Sequence, residues 1–262
     1  AVTSQSITAV DTTKSFILTS NTMSGSVSDG DAFPIVNFNG GSTVDITTNT
    51  GGPARRVAIQ VVTLGAAGVA VDHRAVSNPT QTAGGFSVGT NATSNAIALA
   101  QARLNDAQNV NYMCKRRLNT KVAASAVTLH RGVGGTPDAN CTTDPVVALN
   151  VQRIGFGTAG AFATVRVPGD VTINNTGTTA NTAQFTAVAP HKAITLLMLQ
   201  GPGGQTAGES NFMVNQNDGD DTSAFHALLG FNGAGDRVAV TRTAPANNAT
   251  SVFSPIVVEF AP

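Results

Sequence analysis

The chain has 262 residues, of which 41% are hydrophobic and 11% are charged, and its formal net charge is zero. Charged residues make up about 25% of an ordinary soluble domain, so this surface is poor in the charges that keep copies of a protein apart. A neutral chain also lacks the basic surface typical of nucleic-acid-binding proteins. An unbroken apolar run of about 18 residues, the length that spans a bilayer, does not occur. We therefore expect neither nucleic-acid binding nor membrane insertion.

The first segment of the chain, Ser6 to Leu18, returns near residue 190 in a similar form. Thr8-Ala9-Val10 matches Thr186-Ala187-Val188, and a lysine follows four positions after each valine, at Lys14 and at Lys192. An apolar run comes next in both copies. A recurrence of this kind predicts a chain built from repeated units.

The first unit has the pattern of short strands separated by turns. Asp11 begins a turn, because an aspartate there can accept a hydrogen bond from the backbone two residues further on. Phe33 to Phe38 and Ser42 to Thr47 are two predicted strands, and Asn39-Gly40-Gly41 between them is a hairpin signal. The apolar run Arg55 to Leu64 closes this unit as a strand.

The second unit opens at Val69-Ala70-Val71, after a link of small residues, and closes with the predicted strand Ala148 to Ile154. Between them, Asn95 to Val110 contains alanine, leucine, glutamine and arginine with apolar residues near helical spacing. The composition favours a short helix there, whereas the repeat favours a pair of strands. When the closing strands of the three units are aligned by sequence, Val151 falls at the same position as Val61 and Val257.

The third unit is predicted to contain strands separated by clusters of glycine, asparagine and aspartate, which is the pattern of an antiparallel sandwich. They cover residues 171–173, 185–188, 193–199, 224–229, 238–241 and 251–260. We therefore predict an all-β fold of tandem antiparallel β-sandwich repeats, Ig-like or jelly-roll-like, with one short helix in the middle unit. The predicted units are residues 1–66, 67–157 and 158–262.

These motifs resemble the tandem β-sandwich repeats of bacteriophage structural, tail and decoration proteins and of related bacterial surface proteins. The resemblance implies an all-β fold and a structural role, and it carries no functional residue over to this chain. Its residues are Thr8 to Leu18, Gln60 to Val71, Asn150 to Val167, Thr186 to Leu196 and Ile256 to Phe260. The middle unit departs from the pattern, because it has no clear Thr-Ala-Val-x-x-x-Lys segment.

The sequence contains no group of candidate catalytic residues with a recognisable spacing. The four histidines are scattered along the chain, and no serine lies in a Gly-x-Ser-x-Gly segment. A lone histidine beside strand residues is more often a hydrogen-bonded structural residue than a ligand or a base. We therefore expect no enzymatic activity; the histidines are His73, His130, His191 and His226.

Two further features concern metals and cysteines. Asp218, Asp220 and Asp221 surround a glycine, and three carboxylates so close together are a candidate Ca²⁺ site, although a solvated acidic turn is the favoured interpretation. We expect no other cofactor. Cys114 and Cys141 fit a disulfide outside the cytosol and fit two buried free thiols equally well.

The low charge and the internal repeat predict a non-enzymatic structural assembly protein. Its partners would be copies of itself and other virion proteins, and its location a bacteriophage virion, in a capsid decoration, tail or fibre. The alternative is a secreted subunit of an extracellular bacterial filament, or an adhesin that binds a host glycan or protein at the cell surface.

Overall fold

The computed structural model describes residues 2–23, 34–48, 55–77, 85–87, 93–104, 119–122, 126–130, 146–174, 176–203, 227–242 and 250–262. These residues form antiparallel strands, and they contain no α-helix. Among the described residues, a single 3₁₀ turn covers Pro190–Lys192. The predicted all-β fold is therefore confirmed.

Residues 2–63 form two antiparallel sheets, which we call module 1. The sheet orders are β1-β4-β3 and β2-β5, and the predicted hairpin between β3 and β4 is confirmed. Ile17, Val36 and Val44 are buried in the core that the two sheets enclose. The strands are β1 (Val2–Ser6), β2 (Ser15–Met23), β3 (Ile35–Phe38), β4 (Thr43–Thr47) and β5 (Arg55–Thr63).

Residues 70–155 form two further sheets, module 2, with the orders β6-β11-β8 and β7-β10-β9. Ala98, Val127, Leu149 and Val151 form its buried core. The strands are β6 (Ala70–Ser77), β7 (Gly85–Ser87), β8 (Ala96–Leu104), β9 (Asn119–Val122), β10 (Ala126–His130) and β11 (Val146–Gly155).

The helix predicted within Asn95 to Val110 is wrong, because β8 occupies Ala96–Leu104. The same residues alternate alanine with larger side chains such as Ile97 and Leu99, a period of two that suits a strand. Pairing with β11 over its whole length, and burial of Ala98 at 0% exposure, override the helix propensity of alanine and leucine.

Residues 163–260 form module 3. The long strand β18 pairs with β12 and β13 on one edge and with β15 on the other, and a second sheet has the order β14-β17-β16. Its core includes Val171, Val238, Val240 and Phe253. The strands are β12 (Ala163–Arg166), β13 (Val171–Ile173), β14 (Thr179–Asn181), β15 (Ala193–Gly203), β16 (Ala227–Phe231), β17 (Val238–Arg242) and β18 (Thr250–Phe260).

The strand predicted at residues 185–188 is wrong. Phe185 and Val188 donate backbone hydrogen bonds of 2.9 Å to Asp236 and Gly235, in the turn between β16 and β17. The segment crosses the end of this hairpin and does not run alongside a strand, so the regular ladder of a sheet is not formed.

The two copies of the sequence repeat each contact a hairpin turn by the same hydrogen bond. In module 1, Val10 donates a backbone hydrogen bond of 2.9 Å to Gly41 in the hairpin turn, just as Val188 does to Gly235 in module 3. The sheets β1-β4-β3, β7-β10-β9 and β14-β17-β16 have the same strand order. Every strand pairing among the described residues joins two strands of one module.

The strands β5, β11 and β18, which we call the closing strands, are equivalent by their pairing. They pair antiparallel with β2, β8 and β15 respectively, and these pairings start with Ser15 opposite Thr63, Ala96 opposite Gly155 and Ala193 opposite Glu259. This register makes Arg153 the equivalent of Val61. The predicted alignment on Val151 is therefore wrong by two residues.

A shared core joins the three modules. Phe16 from module 1, Ile97 and Ile154 from module 2 and Ile256 and Val258 from module 3 belong to one hydrophobic cluster. Burial of apolar side chains from all modules in one cluster favours their packing against each other.

Candidate functional site

The link between modules 1 and 2, residues 64–69, is bound by the turn of module 1 that carries Lys14. The Lys14 ammonium donates hydrogen bonds to the carbonyl oxygens of Val69, at 2.6 Å, and of Ala66, at 3.3 Å. The backbone N–H of Val71 donates to the carbonyl of Thr13 at 2.7 Å. The turn of module 1 therefore binds the link that leads into module 2.

Asn95 holds the link between modules 2 and 3 from the same position, since it precedes the first residue of β8 as Lys14 precedes that of β2. Its amide nitrogen donates to the carbonyl of Ala163 at 2.8 Å and to that of Gly157 at 3.3 Å. Its amide oxygen accepts from the N–H of Val165 at 2.7 Å. A lysine and an asparagine thus make equivalent contacts at the two junctions.

Lys192 is the third residue at this position, directly before β15. In the part of the chain that the structure describes, no link lies against its ammonium group. The side chain two residues after Lys192 is also less buried than its equivalent. Ile194 is 46% exposed, whereas Ile97, which occupies the same position in module 2, is 6% exposed. Within the described residues, Lys192 thus differs from Lys14 and Asn95 in what it contacts.

The side contact between modules 1 and 2 depends on buried amides of β11. Gln152, 1% exposed, accepts from the N–H of Ile17 at 2.7 Å and donates to its carbonyl at 2.8 Å. Asn150 donates to the carbonyl of Val36 at 3.0 Å. These amides hydrogen-bond backbone groups on the edges of β2 and β3 that no other described strand pairs with. The sheets of module 1 therefore end against module 2. Sequence analysis missed both residues, although polar side chains inside an apolar strand were a signal.

Arg153, beside these amides, is a charged residue with its side chain fully buried. Its guanidinium lies 3.4 Å from the Asp72 carboxylate and also donates to the carbonyl of Thr93. Burial lowers the pKa of Arg153, and the negative charge of Asp72 opposes that effect. The pair fixes β6 against β11 within module 2.

An open cleft of about 420 Å³ lies where modules 1 and 2 meet. His73 Nε2 is 3.0 Å from the carbonyl oxygens of both Thr12 and Ser15, so a proton on Nε2 suits this arrangement. The imidazole also meets the edge of the Phe38 ring at a centroid distance of 5.2 Å. Asn37 and Asn150 complete the polar lining, which suits the binding of a small polar group.

Most of the other residues singled out from the sequence lie outside the described residues: Asp218, Asp220, Asp221, Cys114, Cys141 and His226. His191 is exposed on the 3₁₀ turn, and the backbone of His130 ends β10. Within the described ranges, no three histidine, cysteine, aspartate or glutamate residues are grouped to hold a metal ion. No helix in those ranges is long and apolar enough to cross a membrane.

Two aspartates stabilise turns, one before β2 and one between β16 and β17. Asp11 accepts from the hydroxyl of Thr13 at 2.7 Å and from its N–H at 2.9 Å, which confirms its predicted role as a turn former and lowers its pKa. Hydrogen bonds from Asn232 and Gln184 lower the pKa of Asp236 in the β16–β17 turn. Both carboxylates stabilise the turns in their ionised form.

No family model, no curated protein and no solved structure matches the chain.

Proposed function

We propose that the chain is a non-enzymatic structural subunit that assembles with copies of itself. The observation that carries this proposal is the repeated junction, in which Lys14 and Asn95 hold two successive links by equivalent hydrogen bonds. A chain that joins its modules by one recurring contact presents similar surfaces at regular intervals, which is useful in a lattice or a fibre.

The composition supports the same role. Only 11% of residues are charged and the net charge is zero, so copies of the chain repel each other weakly. Exposed apolar side chains such as Val167, at 70%, and Leu228, at 71%, add surface that association would cover.

A bacteriophage virion is the proposed setting, in a decoration, tail or fibre, because the repeated motifs resemble those of phage structural proteins. An extracellular bacterial filament is the alternative setting. Negative-stain electron microscopy of the native material distinguishes them: particles or tails that carry the chain at fixed stoichiometry support the virion, and uniform fibres composed mostly of this chain support the filament. Isolated globules would contradict assembly in either setting.

A binding module is a second candidate, favoured by the open cleft beside His73. Glycan-array binding with and without chelator tests it, because a Ca²⁺-dependent site would lose binding in chelator. Asn37→Arg, which places a long side chain in the cleft, should abolish binding at that place. Equal binding by this variant would exclude the cleft.

A further inference from the structure

The closing strands differ in how many of their edges are paired. β11 pairs with β6 and β8, and β18 pairs with β12 and β15, so each has a strand on both sides. β5, their equivalent in module 1, pairs only with β2 among the described strands. The edge of β5 that corresponds to the β6 edge of β11 and the β12 edge of β18 is therefore not paired with any described strand.

Hydrogen-bond geometry identifies the backbone groups that face this edge. Leu64 donates its N–H to the carbonyl of Lys14, in continuation of the β2–β5 ladder. Residues on an antiparallel strand alternate in the side to which their N–H and C=O groups point. Ala58, Gln60 and other even-numbered residues of β5 therefore face β2. Odd-numbered residues, including Val57, Ile59 and Val61, direct their N–H and C=O groups to the unpaired edge.

Beyond the two arginines at its start, β5 lacks the features that keep an edge strand from pairing. It is nine residues long, contains no proline and pairs with β2 without a register shift. Val57 and Ile59 pack into the core of module 1, which holds the strand in place. The exposed side chains of Ala58 and Gln60 are small or uncharged, so the outward face does not repel an incoming strand.

We propose that this edge pairs with the same edge of a second copy, so that β5 and the partner's β5 join two β2-β5 sheets into one antiparallel sheet of four strands. β6 and β12 both run antiparallel to their closing strands. A two-fold axis perpendicular to the sheet gives two β5 strands the same antiparallel direction, which makes the contact self-complementary. This inference rests on the proposed assembly function and specifies its contact surface.

The register also avoids a clash of charge. In a pairing centred on Ile59, Arg56 lies opposite the partner's Val62, and the two copies of Arg56 lie at opposite ends of the contact. Ala58 lies opposite the partner's Gln60, so substitutions at these two positions face each other across the axis.

Charge substitution at the outward positions tests the proposal. The double variant Ala58→Lys/Gln60→Lys and the double variant Ala58→Glu/Gln60→Glu each place like charges opposite one another, and we expect the dissociation constant of each to rise at least about tenfold. An equimolar mixture of the two should recover association, because opposite charges then face each other. Thr172→Lys, at an exposed position of β13 in module 3, is the control and should associate like the wild type. Sedimentation velocity of the full chain measures all of these samples.

The outcomes separate this proposal from the proposed function. If the wild type associates and the two double variants associate equally well, the β5 contact is overturned and the assembly function is not. Failure of the mixture to recover association would show that β5 does not meet itself, and would likewise overturn the contact. A wild type that stays monomeric at every concentration would overturn both proposals.

Discussion

Lys14 and Lys192 occupy the same position in two copies of the sequence repeat, but only Lys14 binds a link in the described structure. Lys14→Met removes a charged donor from the Val69 and Ala66 carbonyls while it keeps much of the aliphatic stem. We expect a loss of about 1–2 kcal/mol in the free energy of unfolding, because Lys14 is half-buried and its bonds are charge-assisted. Urea unfolding measures the loss. Lys192→Met is the matched control, and an equal loss there would contradict a specific role for the link contact.

Asp11 makes stability depend on pH in a defined direction. Its folded pKa lies below the unfolded value, so its contribution is present above the unfolded pKa and is lost as pH falls through the folded one. Asp11→Asn keeps an oxygen acceptor for Thr13 but does not titrate. The variant should be less stable than the wild type at neutral pH, and this difference should disappear in acid. Urea unfolding between about pH 2 and pH 7 measures it, and a difference independent of pH would contradict the assignment.

Gln152 is the buried amide on which the side contact between modules 1 and 2 depends. Gln152→Leu leaves the N–H and C=O of Ile17 without partners at a buried site, which should cost about 2–4 kcal/mol in the free energy of unfolding. Gln5→Leu is the control, because the Gln5 side chain is exposed and bonds only its neighbour Ser6. A cost below about 0.5 kcal/mol for Gln152→Leu would show that water replaces the amide.

At the scale of single residues, the sequence predicted hydrogen bonds between chain neighbours and missed hydrogen bonds between residues far apart in the chain. The role of Asp11 follows from residues two positions away, so its local sequence was sufficient. Gln152 bonds Ile17, and Asn150 bonds Val36, across more than 100 residues of chain. No local pattern states which distant backbone group such an amide meets. For the same reason the junction role of Asn95 was not predicted.

At the scale of elements, the hairpin turns must lie close to the repeated valine segment. A Cβ on Gly235 would lie 2.5 Å from the carbonyl oxygen of Val188, and a Cβ on Gly41 would lie 2.7 Å from that of Val10. Gly235 also has a φ of +70°. Both contacts involve backbone oxygen atoms, which cannot move away without loss of the adjacent hydrogen bonds.

Gly41→Ala should therefore destabilise the protein by about 1–3 kcal/mol, and Gly235→Ala by about 1 kcal/mol more, since its positive φ adds strain. Gly65→Ala is the control, because a Cβ there meets nothing within 4 Å and should change stability by no more than about 0.5 kcal/mol. Thermal unfolding of the three variants measures the order. A Gly235→Ala variant as stable as Gly65→Ala would contradict the close contact.

The elements also show where periodicity is ambiguous. The hairpin of β3 and β4 was predicted correctly, because Asn39-Gly40-Gly41 separates two alternating runs. β8 was predicted as a helix, because alanine and leucine favour helices in isolation. Its environment, paired with β11 and buried at Ala98, determines the outcome, and that environment comes from residues more than 40 positions away.

At the scale of the whole molecule, the repeat predicted the recurrence of sheets but not the way the modules meet. The shared core brings Phe16, Ile97 and Ile256 into one cluster from three modules. Each of these side chains lies in an apolar strand, and nothing in the strand itself distinguishes a contact within a module from a contact between modules. What distinguishes β5 from β11 and β18 is its pairing with one described strand only, which its own sequence does not state.

Amide hydrogen exchange on β5 tests the self-association of this chain most directly. The N–H groups of Ala58, Gln60 and Val62 face β2 and should be protected at every protein concentration, which makes them an internal control. The N–H groups of Val57, Ile59 and Val61 face the unpaired edge. We predict that their protection rises with protein concentration, because a second copy then occupies that edge. Fast exchange of these three amides at all concentrations, with the control amides protected, would contradict the account.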